Sequence, residues 1–135
     1  MIADLIGIPF KDGGRTLAGF DCYGLAIEVF RRYGIVVPEY YACCEDSTLI
    51  DKTITEARVK WVRCTPPDLP VPCLVVIRFN EAVMCNHTGV YIGNGRFIHI
   101  RQKIGVNIDL IDSLVWKRRI EGFYVPGKGA LTCKI

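Results

Sequence analysis

One cysteine of this 135-residue chain stands where a helix is predicted to begin. Residues 19–25 read Gly-Phe-Asp-Cys-Tyr-Gly-Leu, and the helical pattern that follows puts Cys22 in the first turn. A helix N-terminus stabilises a thiolate, and its unpaired N–H groups can stabilise an oxyanion. Asp21 opposes a lowered thiol pKa unless its charge caps the helix, which its position allows. Cys22 is a candidate nucleophile, although a small buried thiol packed behind the helix would fit the same pattern.

The two histidines of the chain, His87 and His99, fall in one predicted hairpin. Strands are predicted at residues 88–92 and 96–100, joined by a loop at residues 93–95. A three-residue loop would make His87 and His99 diagonal neighbours on one face, whereas a two-residue Asn-Gly turn would send them to opposite faces. Because a catalytic base needs an orienting partner, we expect the first register, with His87 as the base and His99 as its partner.

The elements that must position these residues follow from the hydrophobic periodicity. A helix is predicted over residues 21–33, ending at Gly34, and a weaker one over residues 47–59. Residues 74–79 read as a buried strand, residues 109–115 as a short helix and residues 120–125 as a last strand. A helix followed by a mostly antiparallel sheet is an α+β arrangement, with the cysteine helix packed on the sheet.

Composition limits the class of protein. Half of the residues are hydrophobic and 23% are charged, which indicates one globular domain, placed at residues 1–126, with a loose tail at 127–135. The net charge of +3 comes without a long Lys/Arg run, so nucleic-acid binding is not expected. No stretch reaches the ~18 apolar residues of a membrane span. The first residues lack a signal-peptide pattern, so we expect a protein made in the cytoplasm that acts there or leaves by a virion or by lysis.

The seven cysteines are an odd set in a chain that starts without a signal pattern, which favours reduced thiols over a disulfide framework. No Cys-x-x-Cys pair is present, so we expect no structural zinc and no other metal or cofactor. Cys85 with His87, or the pair Cys43 and Cys44, would be the alternative places for a metal ion.

Three motifs in order resemble the NlpC/P60 family of cell-wall peptidases. The segment Phe20-Asp21-Cys22-x-Gly24-Leu25 is similar to that family's nucleophile motif, and residues 87–93 resemble its His-x-Gly-x-Tyr-Ile-Gly strand. Phe97-Ile98-His99 matches the third polar residue, and residues 9–15 resemble the aromatic-x-x-Gly-Gly lead-in. The likeness covers roughly residues 5–126.

The resemblance implies a papain-like fold and a Cys22-His87-His99 triad that cleaves peptidoglycan stem peptides, typically between D-γ-glutamate and a diamino acid. It also implies substrate contacts at Asp21, Tyr23 and Phe10, where Tyr23 replaces the family's usual serine and Phe10 its usual tyrosine. Asp-Cys-Tyr-Gly, together with the pattern at residues 116–124, looks most like the branch of phage and prophage tails, so tail proteins are possible partners. Two alternatives stay open: a tail structural or assembly protein that keeps the hydrolase scaffold, and a thiol acyltransferase or amidase.

Overall fold

A computed structural model describes residues 1–40, 47–78 and 87–127. The predicted tail from residue 128 onward lies outside the described residues, as do residue 79 of the predicted strand and four cysteines: Cys43, Cys44, Cys85 and Cys133. The three cysteines within the described ranges, Cys22, Cys64 and Cys73, are free thiols. None of the helices in these ranges has the length and apolar character needed to cross a bilayer.

The cysteine helix forms where the periodicity predicts it. After a 3-10 turn at Ala3–Leu5 and a small hairpin of β1 (Arg15–Thr16) and β2 (Gly19–Phe20), helix α1 spans Cys22–Arg32. Asp21 is its N-cap. Gly34 follows the helix with φ +82°, a left-handed conformation that glycine adopts without steric cost. A second helix, α2, spans Ser47–Arg58, close to the prediction.

The remaining strands form one antiparallel sheet of six strands in the described part of the chain, in the order β3-β8-β4-β5-β6-β7. The last strand and the two hairpin strands agree with the prediction to within one or two residues, whereas β3 and the β1–β2 hairpin had no counterpart in it. The strands are β3 (Trp61–Cys64), β4 (Cys73–Ile77), β5 (His87–Gly93), β6 (Arg96–Arg101), β7 (Gly105–Leu110) and β8 (Ile120–Pro126).

The prediction of a short helix at residues 109–115 is wrong. Residues up to Leu110 belong to β7, which pairs with β6 along its whole length, from Arg96 opposite Leu110 to Arg101 opposite Gly105. The physical reason is an alternation of apolar and polar residues from Val106 onward, a period of two that suits a strand with one buried face. Residues 111–119 then form a series of turns.

The hairpin of β5 and β6 combines features of both predicted registers. Asn94 and Gly95 form a two-residue turn with φ values of +54° and +74°, and Gly93 pairs with Arg96. The register then shifts by one residue between Tyr91 and Gly93, a β-bulge. A two-residue turn alone would place His87 and His99 on opposite faces of the sheet. The bulge shifts the pairing by one residue, so the two side chains lie on the same face.

The sheet has a different apolar cluster on each face. On one face, side chains of the central strands pack against buried residues of α1, with Val90 and Ile98 at the centre. On the other face, Phe97 packs with Trp116, which comes from the turns after β7. The sheet therefore has a helix layer on one side and a layer of aromatic residues and turns on the other, an α+β architecture as predicted.

Candidate functional site

The start of α1 is held by a network centred on Asp21. Its carboxylate accepts a hydrogen bond from the Gly24 backbone N–H at 2.6 Å and one from the Arg15 guanidinium, also at 2.6 Å. Arg15 further donates to Glu39 at 2.8 Å and to the Tyr40 carbonyl at 2.8 Å. Asp21 therefore caps the helix, and Arg15 ties that cap to the segment after the helix.

Cys22 is the first residue of α1 and is half-buried. Burial raises the pKa of the Cys22 thiol, and the neighbouring Asp21 charge adds to the rise. Contacts with Thr88 and with the Tyr23 backbone N–H act in the opposite direction and do not cancel it. The sequence led us to expect a lowered pKa here. The structure contradicts that expectation, because desolvation outweighs the helix terminus even though Asp21 caps the helix.

The two histidines are in direct contact. His87 begins β5, and its Nε2 lies 2.9 Å from Nδ1 of His99 on β6. His87 is 4% exposed and His99 is fully buried. The ring of Trp116 stacks near His87, with 6.4 Å between centroids, and meets His99 edge-on at 4.7 Å. The predicted pairing of the two histidines on one face is therefore present, and Trp116 covers this face.

Burial lowers the pKa of both histidines. For His87 the pKa falls well below the usual value of 6.5, through burial first and then through the neighbouring His99 and Arg101. For His99 burial again dominates, and the carboxylate of Asp109 opposes it. Both imidazoles are therefore neutral at pH 7.

The hydrogen-bond chain continues to a residue that sequence reasoning missed. Nε2 of His99 lies 2.7 Å from Oδ2 of Asp109 on β7, and the Asn107 side-chain amide donates to the same oxygen at 2.9 Å. Asp109 had been assigned to the wrongly predicted helix. The alternation Val106-Asn107-Ile108-Asp109 was the signal that could have placed it on a strand beside His99.

The three predicted substrate contacts have structural roles in this chain. Tyr23 donates from its hydroxyl to the Pro38 carbonyl at 2.7 Å. Phe10 is half-buried, bridges to Phe20 and packs against the core beside α1. Asp21 is engaged as the helix cap. All three lie around the start of α1, and their contact with a substrate stays a prediction.

Thr88 connects the cysteine with the histidines. It directly follows His87 on β5, and it contacts the Cys22 sulfur from the strand against which α1 packs. The fold therefore brings the thiol to the end of β5 where the His87–His99 pair lies. A thiol, a neutral imidazole and a chain of side chains that orients it are the groups that acyl transfer through a cysteine uses.

Known proteins resemble this chain over most of its length. The NlpC/P60 family matches residues 7–125. The murein DD-endopeptidase MepS/murein LD-carboxypeptidase of Escherichia coli K12 is 27% identical over 118 residues, which are 87% of this chain and 55% of that protein. The gamma-DL-glutamyl hydrolase of Bacillus subtilis is 30% identical over 121 residues, covering 87% of this chain and 26% of that protein. The chain thus spans about half or less of the length of these relatives.

Solved structures show the same fold. An NlpC/P60 family protein from Bacillus cereus superposes with a TM-score of 0.66 at 22% identity, over 90% of this chain and 36% of that one. The NlpC/p60 domain of the peptidoglycan hydrolase SagA gives a TM-score of 0.61 at 16% identity, over 92% of this chain and 94% of that one. With a match to the family across most of its length and the family fold, the chain belongs to the NlpC/P60 family.

Proposed function

We propose that the chain is a cysteine peptidase that hydrolyses peptidoglycan stem peptides at the bond between D-γ-glutamate and a diamino acid. The observation that carries the proposal is the 2.9 Å contact between His87 and His99 at the end of the strand that faces Cys22. The names of the relatives support the substrate class, since one is a murein endopeptidase and another a gamma-DL-glutamyl hydrolase. Residues 1–126 would form the catalytic domain.

In the proposed reaction His87 takes the Cys22 proton as the sulfur attacks the scissile carbonyl. His87 then protonates the leaving amine, and a water molecule activated by the same imidazole hydrolyses the thioester. His99 holds the His87 ring through the contact with Nε2, and in the proposed reaction Nδ1 of His87 takes the thiol proton.

The start of α1 is the proposed oxyanion site. Asp21 uses the Gly24 N–H, and the Tyr23 N–H contacts the sulfur, so the Cys22 N–H is the donor that we assign to the oxyanion.

The proposal extends to the tail-associated branch of the family. Tyr23 in the nucleophile motif and the pattern from Trp116 to Tyr124 support it. Trp116 covers the histidine pair, and the Tyr124 hydroxyl donates to Glu121 at 2.8 Å, so two residues of that pattern have defined places in this fold. Peptidoglycan peptides would be the substrate, tail proteins the partners, and the virion or the bacterial cell wall the place of action.

The test is incubation of the purified chain with peptidoglycan fragments, followed by mass spectrometry. We expect cleavage at the γ-glutamyl–diamino acid bond by the wild type and by Cys64→Ala, a matched change at another partly exposed thiol. Cys22→Ala should give no cleavage. A folded wild type that cleaves no fragment would overturn the proposal in favour of a structural tail role. Transfer of the acyl group to an added amine in preference to water would point to an acyltransferase.

A further inference from the structure

The hydrogen-bond chain of the site extends past the pair of histidines to the next strand. His99 pairs with Asn107 across β6 and β7, and Asp109 lies two residues further on the same face of β7. The Asp109 side chain is 32% exposed, whereas the His99 side chain is fully buried. A partly solvated carboxylate thus lies at the outer end of a buried imidazole chain.

This order of partners determines where each ring carries its proton. An ionised carboxylate can only accept a hydrogen bond, so Nε2 of His99 must carry a hydrogen to bond Asp109 at 2.7 Å. His99 is neutral, because burial lowers its pKa, and its Nδ1 therefore has a lone pair. That lone pair accepts from Nε2–H of His87 at 2.9 Å. His87, also neutral, is left with its basic lone pair on Nδ1.

We infer that Asp109 is a positioning residue that sets the tautomers of both histidines, so that His87 carries its basic lone pair on Nδ1, the nitrogen assigned to Cys22 in the proposed reaction. The effect of these tautomers on catalysis rests on the proposed function. Without Asp109, His99 can carry its hydrogen on Nδ1 instead. The two rings would then present hydrogens to each other, and His87 would have to turn or exchange its own tautomer.

The Asn107 side chain supports the role of Asp109. Its amide donates to the same Oδ2 that accepts from His99, at 2.9 Å. Two donors on one oxygen, from His99 and Asn107, hold the carboxylate in place. The ionised form is the one that excludes the alternative His99 tautomer.

The test combines a spectroscopic readout with kinetics. In histidine-¹⁵N-labelled protein, long-range ¹H–¹⁵N spectra report which ring nitrogen carries the hydrogen. We expect both rings of the wild type as Nε2–H tautomers, and a mixture at His99 in Asp109→Ala. Cleavage by Asp109→Ala should fall at least about tenfold in kcat, with little change in KM. Asp109→Asn keeps the size and an acceptor oxygen, and should recover part of the loss.

The control is Asp112→Ala, which removes an exposed carboxylate three residues further on. It should change neither the spectra nor the rate, and circular dichroism checks the fold of each variant. The inference is overturned if His99 is the Nδ1–H tautomer in the wild type, if Asp109→Ala and Asp109→Asn both leave the tautomers unchanged, or if the tautomers shift while kcat does not. Failure of the proposed function alone would appear as an inactive wild type with the expected tautomers.

Discussion

At the scale of single residues, burial favours a protonated thiol at Cys22 and neutral imidazoles at His87 and His99. The pKa of Cys22 is raised and that of His87 lowered, both mainly by burial. A thiolate–imidazolium pair is therefore not formed in advance. In the proposed reaction the proton therefore has to move from sulfur to nitrogen when the substrate arrives, which would make the orientation of His87 decisive for the rate.

The raised pKa of the Cys22 thiol predicts how this residue reacts with iodoacetamide. Because the thiolate is the reactive form, alkylation of Cys22 should be slow at pH 7 and rise about tenfold per pH unit toward pH 8.5. Peptide mass spectrometry would follow the Cys22 adduct, with Cys64→Ala as a control for background labelling. Fast labelling that stays constant from pH 5 to 8 would show a thiolate formed in advance.

The two histidines should differ in their effect on the rate. His87→Ala removes the base and should lower the rate by about 10²–10⁴ or more. His99→Ala leaves the base but frees its ring, so we expect a smaller loss, with His99→Asn recovering part of it by accepting from His87. The assay is hydrolysis of a γ-glutamyl-diaminopimelyl peptide.

Folding has to be checked in these variants because His99 is fully buried, and truncation to alanine opens a cavity. Circular dichroism and a thermal melt serve that purpose, and His99→Asn carries the argument if His99→Ala unfolds. Equal inactivity of folded His99→Ala and His87→Ala, with no gain in His99→Asn, would contradict the orienting role.

At the scale of elements, two glycines allow neighbouring segments of backbone to pack closely around the candidate site. The first turn of α1 lies against the loop before β1, and a Cβ built on Gly24 would be 2.1 Å from the Gly14 carbonyl oxygen. On the sheet, a Cβ on Gly89 would be 3.0 Å from the His99 Cβ. Glycine in the nucleophile motif therefore lets the helix end approach the loop before β1, and Gly89 leaves room for the His99 side chain on the neighbouring strand.

Gly24→Ala tests the first of these contacts. On an open helix this change stabilises by about 1 kcal/mol through helix propensity. Here the new methyl group meets backbone, so we expect the free energy of unfolding to fall by about 1–3 kcal/mol instead. Urea unfolding followed by circular dichroism measures it, with Lys52→Ala on the exposed side of α2 as a neutral control. A gain in stability would show that the loop before β1 does not press on the helix.

At the scale of the whole molecule, the sheet separates two apolar layers, and the titratable chain lies in the second. The α1 layer consists of aliphatic and aromatic side chains, whereas the other face buries His87 and His99 beside Phe97 and Trp116. The stability of the domain is therefore linked to the protonation of these two rings.

The link predicts acid sensitivity in a defined range. In the folded protein the pKa values of His87 and His99 are lowered below 6.5, so the unfolded chain binds more protons as the pH falls through that value. Stability should decrease from about pH 6.5 toward pH 5. The lowered pKa values of Asp4 and Glu28, which arise from arginine partners, add a further loss only below their ordinary values of 3.8 and 4.5.

Urea midpoints measured every half pH unit would show this decrease. The double variant His87→Gln/His99→Gln removes both titrating rings, and its midpoint should stay nearly constant between pH 6.5 and 5. A wild-type midpoint that does not change over this range would contradict the lowered histidine pKa values.

The sequence by itself predicted helix α1, the strands of the histidine hairpin and the candidate site residues. Helix α1 follows from an apolar stripe between an Asp cap and a terminating glycine, and the α+β class follows from the order of patterns along the chain. The family motifs predict Cys22, His87 and His99 as site residues because each motif depends on short spacings.

Only the tertiary structure decided what surrounds these residues. The bulge after Tyr91, which keeps the two histidines on one face, depends on strand pairing, as does the meeting of His99 with Asp109. The raised pKa of Cys22 and the cover of Trp116 over the rings result from burial by segments far apart in the chain. Desolvation results from many contacts between segments that are far apart in the sequence, so the spacing of residues within one motif cannot predict it.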